Sequence, residues 1–185
     1  MQEIIQNIIQ DIAVEFNELQ QKNFRKKSFF NQAWKRSKSP TTKGSLMVRS
    51  GALKNSLGYK IRGSSIQFFS RRVYSTIHNE GGEITVTRKM KRFFMAMHIK
   101  HKKNVRTLKD GSKSKSKTSS QNSEMAGFYL AMALKKEGSK INIPQRQFIG
   151  NHPKAQQIIR KIIETEVERY FNNTNNIFKN AKKHI

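Results

Sequence analysis

Apolar residues recur at intervals of three and four near both ends of the chain. Between residues 3 and 24, Ile4, Ile5, Ile8, Ile9, Ile12, Phe16, Leu19 and Phe24 fall on one helical face, with Glu and Gln opposite. Residues 154–171 repeat the design with Ile158, Ile159, Ile162, Ile163, Val167, Tyr170 and Phe171. Pro153 suits the first turn of that helix, behind a cap at Asn151 or His152. A helix of about 20 residues runs roughly 30 Å, and each stripe has to bury against something. A sheet built from the middle of the chain is the economical partner.

The middle reads as shorter elements. "SGALKNSLGY" (50–59) starts at a serine and ends at Gly58, which predicts a short helix. "YKIRGSSIQFFSR" (59–71) alternates around Gly-Ser-Ser and predicts a hairpin. "VYSTIHNEGG" predicts a short helix stopped by its glycines, and "EITVT" (83–87) resumes a strand. Residues 36–45 form a basic loop. The longest loop, 101–122, is a lysine/serine tract with little to bury, which would not order itself alone. It is flanked by an echo, "FFMAMHIK" (93–100) and "FYLAMALK" (128–135), read as two packed elements joined by an inserted basic finger. The fold class expected is α+β: long N- and C-terminal helices packed on a small antiparallel sheet, with a projecting basic loop. Residues 1–185 are expected to form a single domain, with 101–122 as the insertion and 172–185 as a C-terminal tail.

Charge changes this picture more than composition does. The 185 residues carry 37 Lys and Arg against 12 Asp and Glu, a net +25. Self-repulsion of that size calls for a polyanionic or acidic partner. The carboxylates gather near the ends, at Glu3, Asp11, Glu15 and Glu18 and at Glu164, Glu166 and Glu168. The middle keeps only Glu80, Glu83, Asp110, Glu124 and Glu137 among most of the cations. No apolar run approaches the roughly 20 residues of a membrane span, and the N-terminus lacks the basic-then-apolar build of a signal peptide. The absence of cysteine excludes disulfides and thiolate zinc sites. Synthesis and assembly in a cytoplasm is the expectation.

Candidate chemistry is thin. His78 and Glu80 resemble half of a zinc-deaminase motif whose Cys-x-x-Cys cannot exist here. His98 and His101 could share a helical face, yet no acidic ligand stands near them in sequence. There is no phosphate-cradling Gly-x-x-x-x-Gly-Lys loop and no Gly-x-Ser-x-Gly elbow. No catalytic residue, metal or cofactor is assigned, and the expectation is a non-enzyme. The basic tract offers more. Lys102, Lys103, Arg106, Lys109, Lys113, Lys115 and Lys117 make a polycation suited to phosphates or an acidic surface, with Arg71, Arg72, Lys89, Lys91 and Arg92 as candidate neighbours. Nothing in the sequence supports base-specific readout.

Four stretches, in order, carry a resemblance: Trp34 to Ser37, "LMVRSGALKNSL" (46–57), "YSTIHNEGG" (74–82) and "INIPQRQFIG" (141–150). The succession resembles the phage virion morphogenesis family, the tail-completion and head–tail joining proteins of tailed bacteriophages. That family's pattern runs through a Leu-x-x-Ser-Gly-x-Leu-x-x-Ser helix, a Tyr-Ala-x-x-His-x-x-Gly-Gly turn and an Ile-Pro-x-Arg-x-Phe-Leu-Gly stretch. The resemblance singles out Trp34, Ser50, Gly51, Leu53, Ser56, Tyr74, His78, Gly81, Gly82, Pro144, Arg146, Phe148 and Gly150 as packing and turn positions. Ser75 stands where the pattern has alanine, and Gln147 where one form has a second proline. The resemblance implies a virion structural protein of the neck or tail top, a homo-oligomeric ring of six or twelve copies. Its partners would be portal, neck or tail proteins and packaged DNA, with no membrane. The alternative reading is a non-specific nucleic-acid-binding protein that coats or compacts DNA. Both readings treat His78 as the close of a short helix, its ring bonded to nearby backbone, with Gly81 and Gly82 turning the chain into a strand.

Overall fold

The computed structural model describes residues 2–37, 39–40 and 44–181, without the side chains beyond Thr174. Part of the expected 36–45 loop and the last four residues of the expected tail lie outside that range. The elements run α1 (Gln2–Lys26), β1 (Ser28–Phe29), β2 (Gln32–Ala33), a 3-10 turn (Lys54–Ser56), β3 (Leu57–Arg62) and β4 (Ser65–Ser70). Then follow α2 (Ser75–Glu80), β5 (Gly82–Thr85), α3 (Arg88–Lys103), α4 (Lys117–Ala133), β6 (Lys140–Ile143) and α5 (Pro153–Ala181). The class is α+β. The strands make three separate antiparallel pairs, β1–β2, β3–β4 and β5–β6, where one small sheet is expected from the sequence.

The chain divides into two compact units. The first holds residues 1–34, 51–75 and 147–185. In it α1 packs against α5 and against the β3–β4 hairpin. That hairpin turns tightly, pairing Arg62 with Ser65 and Leu57 with Ser70. Phe16 meets Phe68 at 5.9 Å between ring centroids. Phe24, fully buried, meets Trp34 edge-on at 5.3 Å and Phe148 at 5.1 Å. The buried face of α1 is Ile9, Ala13, Phe16, Gln20, Asn23 and Phe24, so the apolar stripe is wider than the strip it buries. Ile5 remains 47 % exposed.

At the head of α5, the His152 ring accepts the Lys154 N–H at 3.1 Å and stacks on Phe30 at 4.3 Å. A ring nitrogen there satisfies one of the donors that a first helical turn leaves open. α5 then continues to Ala181, through residues expected to be tail. Residues 50–56 do not form the expected helix. Gly51 takes φ +77°, outside helical space, and only Lys54–Ser56 coil before the strand begins at Leu57.

The second unit holds residues 35–50 and 76–146. β5 pairs with β6 from Gly82↔Ile143 to Thr85↔Lys140. Thr87 caps α3 by accepting the Met90 N–H. α3 and α4 pack as a helical hairpin, so the two echoing stretches are indeed partners. Phe94 stacks with Tyr129, and Val86, Met125, Ala126 and Ala133 are buried.

Candidate functional site

The finger between the helices is shorter than the 101–122 expected. α3 takes residues up to Lys103 and α4 starts at Lys117, leaving 104–116. Ser116 caps α4 by accepting the Ser119 N–H. The remaining segment folds back on itself. Thr107 bridges Lys113, the Leu108 N–H donates to the Ser112 carbonyl at 2.8 Å, and the Ser114 N–H donates to the Arg106 carbonyl at 2.8 Å. At the tip Gly111 has φ +80°, and the Asp110 carboxylate accepts both the backbone N–H and the hydroxyl of Ser112. Those bonds hold the Asp110 carboxyl below its ordinary range. At the base, buried Ser119 accepts the Arg106 N–H at 3.1 Å. The tract thus carries a set of local hydrogen bonds, which lysine/serine composition does not reveal.

Every cation of the finger set, Lys102, Lys103, Arg106, Lys109, Lys113, Lys115 and Lys117, is exposed. Lys100 joins Lys102 and Lys103 in the last turn of α3, where the helix dipole favours positive charge. Of the candidate neighbours, Lys89, Lys91 and Arg92 stand on α3 in the same unit, with Lys91 half-buried. Arg71 and Arg72 belong to the other unit. His98 and His101 face α4: each Nδ1 lies 2.9 Å from an oxygen, that of the Ala126 carbonyl and of the Asn122 side chain respectively. Both bonds call for a proton on Nδ1. Among the described residues no three His, Asp or Glu side chains are placed to hold a metal ion. Among them, too, no helix is long and apolar enough to cross a membrane.

The motif positions do structural work within each unit. In the first, the Trp34 indole donates to the Gln147 carbonyl at 2.7 Å, beside fully buried Phe148. Buried Ser56 donates to the Leu53 carbonyl at 2.7 Å, meets the Ser70 hydroxyl at 2.8 Å and through its own carbonyl receives the Arg71 N–H. Leu53 is buried and Tyr74 partly exposed. Gly150 sits at φ +147°, and a Cβ there would collide with the Gln147 side chain.

In the second unit the Arg146 side chain is buried and donates to two carbonyls, Nε to Lys35 at 2.9 Å and Nη2 to Arg36 at 3.3 Å. Burial lowers the Arg146 pKa from its ordinary value. The Arg146 N–H reaches the His78 carbonyl at 2.8 Å, so His78 joins the end of α2 to the Pro144–Arg146 stretch through its backbone. Its ring is half-buried. Burial, and then the charge of Arg146, lower its pKa below 6.5. Gly81 has φ +78° and a Cβ there would lie 2.9 Å from the Gln145 nitrogen; Gly82 has φ +139°. Both glycines take the positive φ expected of them.

Sequence reasoning missed two surfaces. One is the outer face of α3, where Lys89, Arg92, Phe93, Ala96, Lys100 and Lys103 recur at helical spacing and are all exposed. The other is an open groove of about 470 Å³ between α1 and α5, lined by Val14, Ile158 and Ile162 with Asp11, Glu15 and Glu166, and by Lys161 and Thr165. The period was visible for both. What decided them was which part of each stripe the fold leaves uncovered.

No curated protein and no solved structure was found to match the chain. Residues 4–168 match the family model described as the phage virion morphogenesis family, a span running from the first turn of α1 well into α5. With most of its length matched, the chain belongs to the phage virion morphogenesis family, and its role is that of a structural, morphogenetic protein of the phage virion.

Proposed function

We propose that this protein is a tail-completion or head–tail connector component, a ring of identical copies at the neck or tail top through which the packaged DNA passes. The observation that carries the reading is the internally hydrogen-bonded basic finger on a unit whose surface holds few carboxylates, in a chain of virion-morphogenesis type. A cationic projection held by its own hydrogen bonds can face DNA phosphates or an acidic neighbour without first losing the conformational entropy of a loose loop. A closed ring follows if one surface of each copy meets a different surface of the next through a rotation. Portal, neck and tail proteins are then the contacts above and below. None of the described side chains is given a catalytic role.

The experiment is disruption of the gene, followed by electron microscopy of the lysate. The reading predicts DNA-filled heads and separate tails, with few joined particles. Joined, infectious particles in normal number overturn it. A companion variant with Lys113, Lys115 and Lys117 changed to serine separates the finger's partners. Weakened duplex-DNA binding, with a log–log salt slope shallower by about 0.9 for each phosphate no longer neutralised, assigns the finger to DNA. Unchanged DNA binding with lost incorporation assigns it to an acidic protein surface. Should the protein prove absent from particles yet abundant on intracellular DNA, it coats or compacts DNA instead.

A further inference from the structure

We infer that the exposed basic face of α3 in one copy docks into the acid-rimmed groove between α1 and α5 of the next copy. This deepens the ring reading, on which its closed geometry rests. The two surfaces are opposite in charge, and each carries exposed apolar side chains among its charges. From Gln2 to Gln21, α1 carries four carboxylates and no cation; on α5 Glu164, Glu166 and Glu168 stand among Arg160, Lys161 and Arg169, with Glu166 paired to Arg169 at 2.8 Å, so the acidic side of the groove is α1. In the groove itself Asp11, Glu15 and Glu166 outnumber the single cation, Lys161, around Val14, Ile158 and Ile162, with Val14 39 % exposed. α3 is the mirror case, with seven Lys and Arg between Arg88 and Lys103 and no carboxylate. On its outer face Phe93 is 56 % and Ile99 47 % exposed, beside Lys89, Arg92, Lys100 and Lys103. The inner face, with Phe94, His98 and His101, is already occupied by α4.

Charge decides between arrangements. Groove against groove, or α3 against α3, would bring like charges together and penalise a two-fold contact. Groove against α3 pairs opposite charges, with Ala96 and the flanking Phe93 and Ile99 set against Val14, Ile158 and Ile162. Such a contact joins two different surfaces, so it propagates from copy to copy and closes when the rotation allows. DNA could also meet the α3 face, but it would leave the acidic groove without an occupant.

The test is sedimentation of the full chain at low and high salt, with two charge-reversed variants whose helix content is checked by circular dichroism. One carries Asp11→Lys and Glu15→Lys; the other carries Arg92→Glu and Lys100→Glu. Wild type should associate at low salt and dissociate as salt rises. Each variant alone should associate at least about tenfold more weakly. Mixed in equal amounts, the two should associate again, because the unaltered groove of one variant then meets the unaltered α3 of the other. Wild type that stays monomeric, a variant that associates like wild type, or a mixture that stays dissociated overturns the proposal. So does an α3 variant that loses duplex-DNA binding but keeps wild-type association, which assigns that face to DNA.

Because the chain has no cysteine, a second measurement avoids changing charge. Under a mild copper oxidant the Val14→Cys, Ala96→Cys double variant should give a ladder of cross-linked copies, and neither single variant should cross-link. Dimers from either single variant, or no ladder from the double, overturn the docking mode. These outcomes are read on the pure protein, so they stand apart from whether it is found in particles.

Discussion

Replacing Trp34 with phenylalanine tests the link between two motif stretches far apart in sequence. The indole N–H donates to the Gln147 carbonyl at 2.7 Å, and the residue is only 7 % exposed. Losing a neutral hydrogen bond costs about 1 kcal/mol, rising towards about 3 kcal/mol when the acceptor is left dry. Gln147 is half-buried, so water reaches part of the site and about 1–2 kcal/mol is the fitting range. Phenylalanine also leaves unfilled space beside Phe24. Roughly 40 Å² of lost apolar burial adds about 1 kcal/mol. The expected loss is therefore about 2–3 kcal/mol. Urea unfolding followed by far-ultraviolet circular dichroism reads it, since the variant removes the chain's one tryptophan. Gln147→Ala is the control. It keeps the accepting carbonyl and removes only a 3.4 Å bond from its side chain to the Ile149 carbonyl, so it should cost under about 0.5 kcal/mol. If the tryptophan variant costs under about 0.5 kcal/mol, or the control costs as much as it does, the reasoning fails.

Gly81→Ala should destabilise by about 1–3 kcal/mol, because φ +78° and the Gln145 nitrogen both oppose a Cβ. Gly111→Ala, at φ +80° in open space, should cost less, and equal unfolding midpoints for the two would refute that contrast. Ser119→Ala removes the buried acceptor of the Arg106 N–H, so trypsin should cut within 106–117 several times faster in the native protein; an unchanged rate would mean the finger does not depend on that bond. For His78 the folded pKa lies below 6.5, so just below that value the unfolded chain holds more protons. Its contribution is present above about pH 6.5 and lost as pH falls below it towards the folded value. His78→Gln should then lose less stability than wild type between about pH 7.5 and 5.5 in urea titrations, and parallel losses would show that His78 is not the group responsible.

The legible parts of the fold were those written in local periodicity. Alternation around Gly63 marks the β3–β4 hairpin, the three-four spacing marks α1 and α5, and Gly81 and Gly82 mark the end of α2. Other features depended on facts no short window holds. Residues 50–56 read as helix because Ser50 and the leucines suit one, but Gly51 takes a left-handed φ. The finger looked unable to order because its composition is polar. In the structure Ser116 and Asp110 accept from backbone two or three residues on and Ser119 from Arg106 at its base, bonds that composition does not count. The three strand pairs stay separate because β5 finds its partner in β6, more than fifty residues on, and not in the nearby hairpin. Of the functional surfaces, the cations were plain in the sequence. The acidic groove was not, because the isoleucines of both end helices read as core until Ile5, Val14 and Ile163 prove exposed.

The virion role is tested most directly by quantitative mass spectrometry of phage particles purified through a density gradient. The account predicts this protein among the virion components, in a low copy number consistent with one ring, six for a tail's symmetry or twelve for a portal's. Particles that are infectious and complete but lack it would contradict the account.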